Sequence, residues 1–399
     1  MMKSIRFANA AIVATVCVGC SATSPEGATA VDEGQATATV RSAVTGCYWG
    51  TGPYVRAGDF NGNSNLDLLS PDGYYVDIFQ AVGYSFIFRD SDTLNQWGDP
   101  TYTFTGDFNH DGKADLASAY GGNVYMQLSR PDSTGFNIAT WPVWNQWGGG
   151  AVTFANWPAA YKSGGSGYTF AADFTGDGVT DIASVSGSYA FMKISTSSGF
   201  NSQTWPATVS WGQPGYTFAA DFTGDGRADI ATAYGGSIGL LTSQGSTFTS
   251  SASNVTNYWG SADFTFAADF NGDGRADLAS AYGGNVYMKL STGSGFTSQT
   301  WPVTNQWAAA TGYTFAADFN NDGRADLASV NGGNVYMKLS TGTGFISQTW
   351  PVPNQWGSAA YTKAGAFGYS PGYASIVTAI GCTLIHYQST GYSFVVHTS

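Results

Sequence analysis

The sequence is poor in the side chains that most enzymes use for proton transfer. Among 399 residues there are three histidines, His110, His386 and His397, and two glutamates, Glu26 and Glu33. None of the histidines recurs with a partner, and both glutamates precede the repeated part of the chain. A glycosidase would therefore depend on an aspartate pair, and no such pairing is visible outside the acidic motifs described below. We expect a protein that is not an enzyme.

Charge and helix-forming residues are also scarce. Charged residues make up 11% of the chain, and 15 Lys and Arg against 27 Asp and Glu give a net charge of −12. Such an acidic chain would repel nucleic-acid phosphates, so a nucleic-acid partner is not expected. The sequence instead has 53 Gly, 13 Trp, 23 Tyr and 25 Phe. This composition favours an all-β protein with many short strands and tight turns.

The apolar stretch at the N-terminus, residues 7–18, follows Lys3 and Arg6 and is too short to span a bilayer. We predict a secretory signal over residues 1–20, a flexible linker over 21–38 and one domain over 39–399. Two forms of the signal remain open. Either Cys20 in "VCVGC" is lipidated, as in a bacterial lipoprotein, or cleavage follows Ala22 or Ala30. The predicted location is secreted or on the outer cell surface, with membrane contact only through the lipid anchor.

Cysteine usage agrees with export. After removal of the signal only Cys47 and Cys382 remain, one near each end of the chain. An even pair in an oxidising compartment predicts one disulfide between them, and two buried free thiols are the alternative.

An acidic phrase recurs along the chain at Asp59, Asp107, Asp173, Asp221, Asp269 and Asp318, in steps of 48, 66, 48, 48 and 49 residues. A further step reaches Ala366 in "AFGYSPGYASIV", which keeps Phe367 but has lost every carboxylate. We interpret this segment as a seventh, silent repeat. A Trp and then a Tyr or Phe precede the key position in all seven repeats.

Each unit contains four runs of strand length, such as "YTFAADF", "ADLASAY", "NVYMKLS" and "FTSQTWPV". Four strands in a period of about 48 residues, repeated seven times, predict a seven-bladed β-propeller of four-stranded antiparallel blades. The last repeat stops at "GYSFVVHTS", without a "QTWPV" strand. We therefore expect the N-terminal segment to complete the last blade, which would place Cys47 beside Cys382.

The acidic phrase has the donor pattern of a calcium loop. In "DFNGDGRAD" positions 1, 3, 5 and 9 carry side-chain oxygen donors, position 6 is Gly, and the carbonyl at position 7 faces inward. Asx turns without metal are the alternative, but unneutralised carboxylates so close together would repel. In the Asp59 loop, Asn63 and Ser64 replace Asp and Gly, which predicts weak binding or none.

The predicted Ca²⁺ ligands are Asp107, Asn109, Asp111, Lys113, Asp115, Asp173, Thr175, Asp177, Val179, Asp181, Asp221, Thr223, Asp225, Arg227, Asp229, Asp269, Asn271, Asp273, Arg275, Asp277, Asp318, Asn320, Asp322, Arg324 and Asp326, with Asp59, Asn61 and Asp67 in the weaker loop. At the seventh position of each loop the backbone carbonyl is the predicted donor.

A second repeated phrase, "NQW", falls on the opposite face, because alternate turns of an antiparallel blade emerge on opposite faces. An indole beside carboxamides suits a sugar, whose apolar face stacks on the ring while its polar groups need hydrogen bonds. The predicted ligand-binding residues are Asn95, Gln96, Trp97, Asn145, Gln146, Trp147, Asn305, Gln306, Trp307, Asn354, Gln355 and Trp356. Blade-packing wedges are the alternative for these Trp residues. The Trp residues of "TWP" are expected to pack the outer strands.

The phrase "DFNGDGRADLAS" resembles the FG-GAP or VCBS repeat of integrin-type propellers, over roughly residues 40–399. The seven-fold arrangement is similar to the Psathyrella-type fungal lectins. That resemblance implies a multivalent, calcium-stabilised, lectin-like adhesion protein whose partners are glycans containing N-acetylglucosamine. Two alternatives remain open: a surface scaffold that binds another protein, and a polysaccharide-active enzyme or its non-catalytic module.

Overall fold

The computed structural model describes residues 55–72, 75–83, 85–92, 103–120, 123–143, 167–212, 216–308, 313–367, 372–380 and 383–398. Within these ranges the regular structure consists of strands and two short 3₁₀ turns, Ala262–Phe264 and Ala359–Tyr361. No α-helix occurs in this part of the chain, so no described helix could cross a bilayer. The predicted leader, the predicted linker and the lipidation candidate Cys20 lie outside the described residues.

The strands form seven four-stranded antiparallel sheets, which we number as blades one to seven in chain order. Blades one to three are β1 (Arg56–Gly58), β2 (Asp67–Asp72), β3 (Tyr75–Val82), β4 (Ser85–Asp92); β5 (Thr103–Gly106), β6 (Asp115–Tyr120), β7 (Asn123–Ser129), β8 (Phe136–Pro142); and β9 (Gly167–Ala172), β10 (Asp181–Ser186), β11 (Tyr189–Thr196), β12 (Gly199–Pro206).

Blades four and five are β13 (Thr217–Ala220), β14 (Asp229–Tyr234), β15 (Ser237–Ser243), β16 (Phe248–Asn254); and β17 (Thr265–Ala268), β18 (Asp277–Tyr282), β19 (Asn285–Ser291), β20 (Phe296–Pro302). Blades six and seven are β21 (Thr314–Ala317), β22 (Asp326–Asn331), β23 (Asn334–Ser340), β24 (Phe345–Pro351); and β25 (Thr362–Gly365), β26 (Ser375–Ile380), β27 (Thr383–Ser389), β28 (Phe394–Thr398). The predicted all-β class and the blade architecture are confirmed.

The second strand of a blade is buried on both faces, because it lies between two neighbouring blades. In β18 every residue except the last, Tyr282, is buried. Tyr282 pairs with Asn285 across a two-residue turn, and Gly283 in that turn has a φ of 60°. A left-handed conformation of this kind favours Gly, which explains the "GG" of the repeat.

The "TWP" tryptophans supply much of the packing between blades. Trp301 is buried and its ring meets Phe345 of the next blade edge to face, with centroids 5.1 Å apart. The same contact joins Trp141 to Phe200, Trp205 to Phe248 and Trp350 to Phe394. These residues lie on the outer strands, as expected, but their packing partners belong to the next blade. Edge-to-face pairs of this geometry stabilise a core beyond their area of burial.

A closed belt of backbone hydrogen bonds joins the blades at their acidic loops. The amide at position 8 of each acidic loop, and at position 9 in the silent repeat, donates to the carbonyl at position 1 of the preceding loop, over 2.7 to 2.8 Å. The donor and acceptor pairs are Ala114 to Asp59, Thr180 to Asp107, Ala228 to Asp173, Ala276 to Asp221, Ala325 to Asp269, Ala374 to Asp318 and Leu66 to Ala366. The last pair closes the ring and places the silent repeat in register with the other six.

The last blade has its own outer strand, which corrects one expectation. Strand β28 pairs with β27, with His386 opposite His397, so the N-terminal segment is not needed to supply a missing fourth strand. Strand β28 lacks the "TWP" ending of the other outer strands, so its sequence does not mark it as one. Its Phe394 nevertheless packs against Trp350 and completes the core between blades six and seven. The N-terminal segment, Cys47 and Cys382 lie outside the described residues, so the disulfide stays a prediction.

Candidate functional site

The two repeated phrases lie on opposite faces of the ring, as predicted. The acidic loops contact the turns between third and fourth strands: Lys113 Nζ donates to the carbonyl of Arg130 over 2.7 Å. The "NQW" connectors contact the turns between second and third strands: Trp307 Nε1 donates to the carbonyl of Gly283 over 2.8 Å. We call these surfaces the acidic face and the connector face.

The first aspartate of each acidic loop organises the loop backbone. Asp269 Oδ1 accepts a hydrogen bond from the Gly272 amide at 2.7 Å, and its Oδ2 accepts one from the Gly274 amide at 2.8 Å. Both glycines have φ near +80°, which explains why Gly recurs at these places. Asp59 makes the same bonds to Gly62 and Ser64, so the divergent first loop has the same turn.

The ninth position of each loop is a buried carboxylate. Asp277 is fully buried; its Oδ1 accepts the amide of Ser291 at 2.7 Å and its Oδ2 accepts that of Phe270 at 3.2 Å. Burial raises the pKa of Asp277 to about 7 despite these bonds. The pKa is likewise raised by burial to about 7 at Asp67, Asp115, Asp181 and Asp326, and to about 6 at Asp229. Nearby aspartates of the same loop add to this rise.

The fifth position is partly neutralised inside three of the loops. The guanidinium groups of Arg227, Arg275 and Arg324 each form an ion pair with the aspartate two residues earlier. These arginines are at position 7 of their loops. In the second loop position 7 is Lys113, which instead donates to the backbone carbonyls of Arg130 and Pro131. In the third loop position 7 is Val179, which has no charge. Charge compensation therefore differs between loops of nearly the same sequence.

The donor set of these loops fits calcium, since carboxylate, amide and carbonyl oxygens are the ligands that Ca²⁺ prefers. In the described ranges, however, no group of three or more Asp, Glu, His or Cys residues is arranged to hold a metal ion. The carboxylates are bonded to amides of their own loops, in the manner of the Asx turns considered as the alternative. The calcium site stays a prediction.

On the connector face, four described indoles anchor their connectors to the blade that the connector leaves; Trp307 and Trp356 belong to "NQW", and Trp211 and Trp259 take the same place in "VSW" and "NYW". The indole nitrogens of Trp211, Trp259, Trp307 and Trp356 donate to the carbonyls of Gly187, Gly235, Gly283 and Gly332 over 2.8 to 3.1 Å. These four rings are half-buried. The wedge interpretation therefore has structural support for the Trp side chains.

Buried side chains of the next blade contact the same indoles. Lys289 Nζ lies 4.8 Å from the Trp259 ring centroid, and Lys338 Nζ lies 5.0 Å from that of Trp307. Burial lowers the pKa of both lysines to about 8. In blade seven Tyr387 takes this place and stacks on Trp356, with ring centroids 4.3 Å apart.

These buried groups also bind the connector backbone. Lys338 Nζ donates to the Gln306 carbonyl at 3.3 Å, and Tyr387 Oη donates to the Gln355 carbonyl at 2.6 Å. Sequence reasoning missed this role. The signal was a single Lys in the otherwise apolar strand "NVYMKLS", which reads equally well as a solvent-facing residue.

The predicted amides are exposed where the structure describes them. Asn305, Gln306, Asn354 and Gln355 are all exposed, next to half-buried indoles. The further predicted residues Asn95, Gln96, Trp97, Asn145, Gln146 and Trp147 lie outside the described residues.

A shallow groove of about 470 Å³ lies between the outer strands of blades four and five, beside a connector. The Thr256 amide donates to Ser298 Oγ across it, at 3.0 Å. The same bridge joins Thr208 to Ser250 and Thr304 to Ser347. The groove is lined by Asn254, Val255, Thr256, Phe296, Thr297 and Ser298.

Comparison with known proteins agrees with this geometry. The model of the FG-GAP-like repeat matches residues 221–280 and 269–329. No curated protein is similar enough in sequence to count as a relative. The chain is thus a seven-bladed β-propeller, and it contains FG-GAP-like repeats.

Among solved structures, the chain is similar to a lectin from Agrocybe aegerita that specifically recognises non-reducing terminal N-acetylglucosamine. The TM-score is 0.63 and the identity 19%, over 82% of this chain and 85% of the lectin. A Photorhabdus luminescens Tc holotoxin pore matches with TM-score 0.45 and 16% identity over 84% of this chain and 17% of its own. A functionally unknown Desulfotomaculum acetoxidans protein matches with TM-score 0.45 and 9% identity over 81% of this chain and 91% of its own. At these identities the likeness concerns the fold.

Proposed function

We propose that this protein is a multivalent carbohydrate-binding propeller whose ligand sites are on the connector face. The observation that carries the proposal is the repetition of exposed Asn and Gln side chains beside an indole at successive blade junctions, as in Asn305, Gln306 and Trp307. Amides offer both donors and acceptors, which sugar hydroxyl and acetamido groups require. The Agrocybe aegerita lectin, which has this fold, supports glycans with terminal N-acetylglucosamine as the first ligands to test.

The contacts of the indoles indicate how each site would work. Because Trp307 Nε1 is already bonded to Gly283 and Lys338 lies near the ring, the indole holds the connector in place. The exposed amides then carry the polar recognition, and the half-exposed ring edge contributes apolar contact. Several weak copies on one ring would hold a polymer or a cell surface by avidity.

The proposal includes calcium and export. Calcium bound by the acidic loops would relieve the repulsion between neighbouring aspartates and rigidify the blades. A secretory leader would place the ring outside the cell, free or attached through Cys20, where an adhesive lectin would meet its glycans.

A glycan array with the secreted protein, run with and without a chelator, tests the function. We expect binding to glycans that end in N-acetylglucosamine. The matched variant replaces both amide residues of all four "NQW" copies with Ala and leaves the four indoles in place; the changed residues are Asn95, Gln96, Asn145, Gln146, Asn305, Gln306, Asn354 and Gln355. We expect this variant to keep its melting temperature and to lose most of its array signal. An array signal equal to that of the parent would place the ligand site elsewhere.

Native mass spectrometry tests the calcium proposal separately. We expect bound Ca²⁺ on the folded protein, and a lower melting temperature after chelation, because a ligand that binds only the folded state stabilises it. Protein that carries no calcium at saturating concentration, and melts at the same temperature with and without chelator, would leave the loops as metal-free Asx turns.

A further inference from the structure

Among the described residues, exposed tyrosines and half-buried indoles recur across the connector face from blade three to blade five, in a row that we call the arc. Fixed indoles alternate in this arc with exposed tyrosines on the turns between second and third strands. Its members are Tyr189, Trp211, Tyr234, Trp259, Tyr282 and Trp307. Tyr234 and Tyr282 are 64% and 67% exposed, far more than a tyrosine that fills a core.

Hydrogen bonds connect Trp259 to the two turns that carry Tyr234 and Tyr282. Trp259 Nε1 donates to the carbonyl of Gly235, the residue after Tyr234, at 3.1 Å. On the other side, the amide of Gly260, the residue after Trp259, donates to Ser280 Oγ at 2.8 Å. Gly260 also lies so close to the carbonyl of Ala281, the residue before Tyr282, that a Cβ there would collide with it. Each of these turns is thus joined by one hydrogen bond to Trp259 or to its neighbour Gly260.

The same connection begins and ends the arc. Trp211 Nε1 donates to the Gly187 carbonyl at 3.0 Å, in the turn that carries Tyr189, and Trp307 Nε1 donates to Gly283, next to Tyr282. In blade six the position of Tyr282 is taken by Asn331, whose amide contacts the Trp307 carbonyl at 3.5 Å. Going along the chain from blade three, the exposed tyrosines of the described turns therefore extend to blade five and not to blade six.

The described segments that carry the arc are polar and contain no charged residue. No Asp, Glu, Lys or Arg occurs in the connector segments 206–212, 216–220, 254–261, 303–308 and 313–316 or in the turns 233–238 and 281–286. The nearby Lys289 and Lys338 belong to strands of the next blades and are fully buried, 4.8 and 5.0 Å from the ring centroids of Trp259 and Trp307. Exposed Asn and Gln side chains, such as Asn257 and Asn305, flank the rings. Flat apolar rings with amides at their edges, on segments that expose no charged side chain, fit a neutral sugar chain better than a charged polymer or a charged protein surface.

We propose that this arc binds one extended neutral polysaccharide strand, whose successive sugar rings stack on the tyrosines of adjacent blades. The inference rests on the proposed function and specifies its ligand as a polymer segment that spans several blade junctions. An extended strand would engage the rings together, so affinity would rise with chain length.

Titration calorimetry with N-acetylglucosamine, chitobiose, chitotetraose and chitohexaose tests this arrangement on the secreted protein. We expect the parent to bind the hexaose at least about tenfold more tightly than the biose, since each stacked ring adds a modest contact energy. In Tyr234→Ala with Tyr282→Ala we expect that ratio to fall close to one.

Two further variants control for loss of structure and for a general effect of tyrosine removal. Tyr234→Phe with Tyr282→Phe keeps both rings and should keep the length dependence, because stacking does not need the hydroxyl. Tyr392→Ala removes a tyrosine that is 81% exposed in a turn on the acidic face, beside Asn320, and should behave as the parent does.

The outcomes separate the two proposals. A parent that binds short and long oligomers equally, or an alanine variant that retains the length dependence, overturns the arc and leaves the lectin function intact. A parent that binds no oligomer and no glycan overturns both.

Discussion

The acidic face and the connector face join the same seven blades by different chemistry. On the acidic face the joint is a backbone amide bonded to a backbone carbonyl, and it is present even at Ala366, where every carboxylate has been lost. On the connector face the joint depends on side chains and changes from blade to blade: Lys289 and Lys338 at two junctions, Tyr387 at another.

This difference separates closure of the ring from its surface chemistry. Backbone bonds do not depend on side-chain identity, so the acidic loops can diverge without opening the ring. Gly239 in blade four holds the position that Tyr287 holds in blade five. A Cβ at Gly239 would lie only 2.8 Å from the Cβ of Val209 in the preceding connector, so this junction has no room for a side chain. The connector face is therefore where the surface of each blade can vary.

The largest effect is expected from the buried carboxylate of the acidic face. Asp277→Ala leaves the Phe270 and Ser291 amides buried without an acceptor, which should lower the free energy of unfolding by about 3 kcal/mol. Asp273→Ala, an exposed residue of the same loop, is the control in chelator-containing buffer and should change it by less than about 1 kcal/mol. Equal losses in urea unfolding would contradict a special role for the ninth position.

An intermediate effect is expected where a connector touches the next blade. A Cβ at Gly212 would collide with the carbonyl of Ala233, so Gly212→Ala should cost about 1–3 kcal/mol in urea unfolding. Ala308 holds the equivalent place after blade five, so Ala308→Gly should cost less than about 1 kcal/mol. The contrast fails if Gly212→Ala is as stable as the parent.

We expect the buried lysines of the connector face to make the free energy of unfolding depend on pH above neutrality, where the aspartates of the acidic face no longer contribute a change. Their folded pKa of about 8 lies below the unfolded value of about 10.4, so the folded state binds fewer protons between these values. The free energy of unfolding should therefore rise with pH across this window, on the order of 1–3 kcal/mol per lysine.

Lys289→Met with Lys338→Met is the test of that dependence. The apolar side chains carry no charge into the core, so the double variant should be more stable than the parent at pH near 7, and the difference should shrink as the pH approaches about 10. A parent and variant that differ by a constant amount from neutral to alkaline pH would show that the lysines do not titrate in this window.

The sequence by itself determined the number of blades, the four strands of each unit and the opposite placement of the two repeated phrases. The regular spacing of the acidic motifs from Asp59 to Asp318, with the degenerate motif at Ala366, was enough to predict the number of blades. This is because each repeat folds as one local unit whose turns require particular residues such as Gly283. Those constraints act over a few residues and are visible in a linear pattern.

Only the tertiary structure decided what lies between the blades. Whether Lys338 faces solvent or Trp307, whether the last blade completes itself with β28, and which tyrosines remain exposed all depend on contacts between residues of different repeats. Burial is a property of the assembled ring, since a residue at the same place in two repeats meets different neighbours. For that reason the exposed arc of Tyr234 and Tyr282 could not be read from a phrase, "AYGG", that marks only a turn.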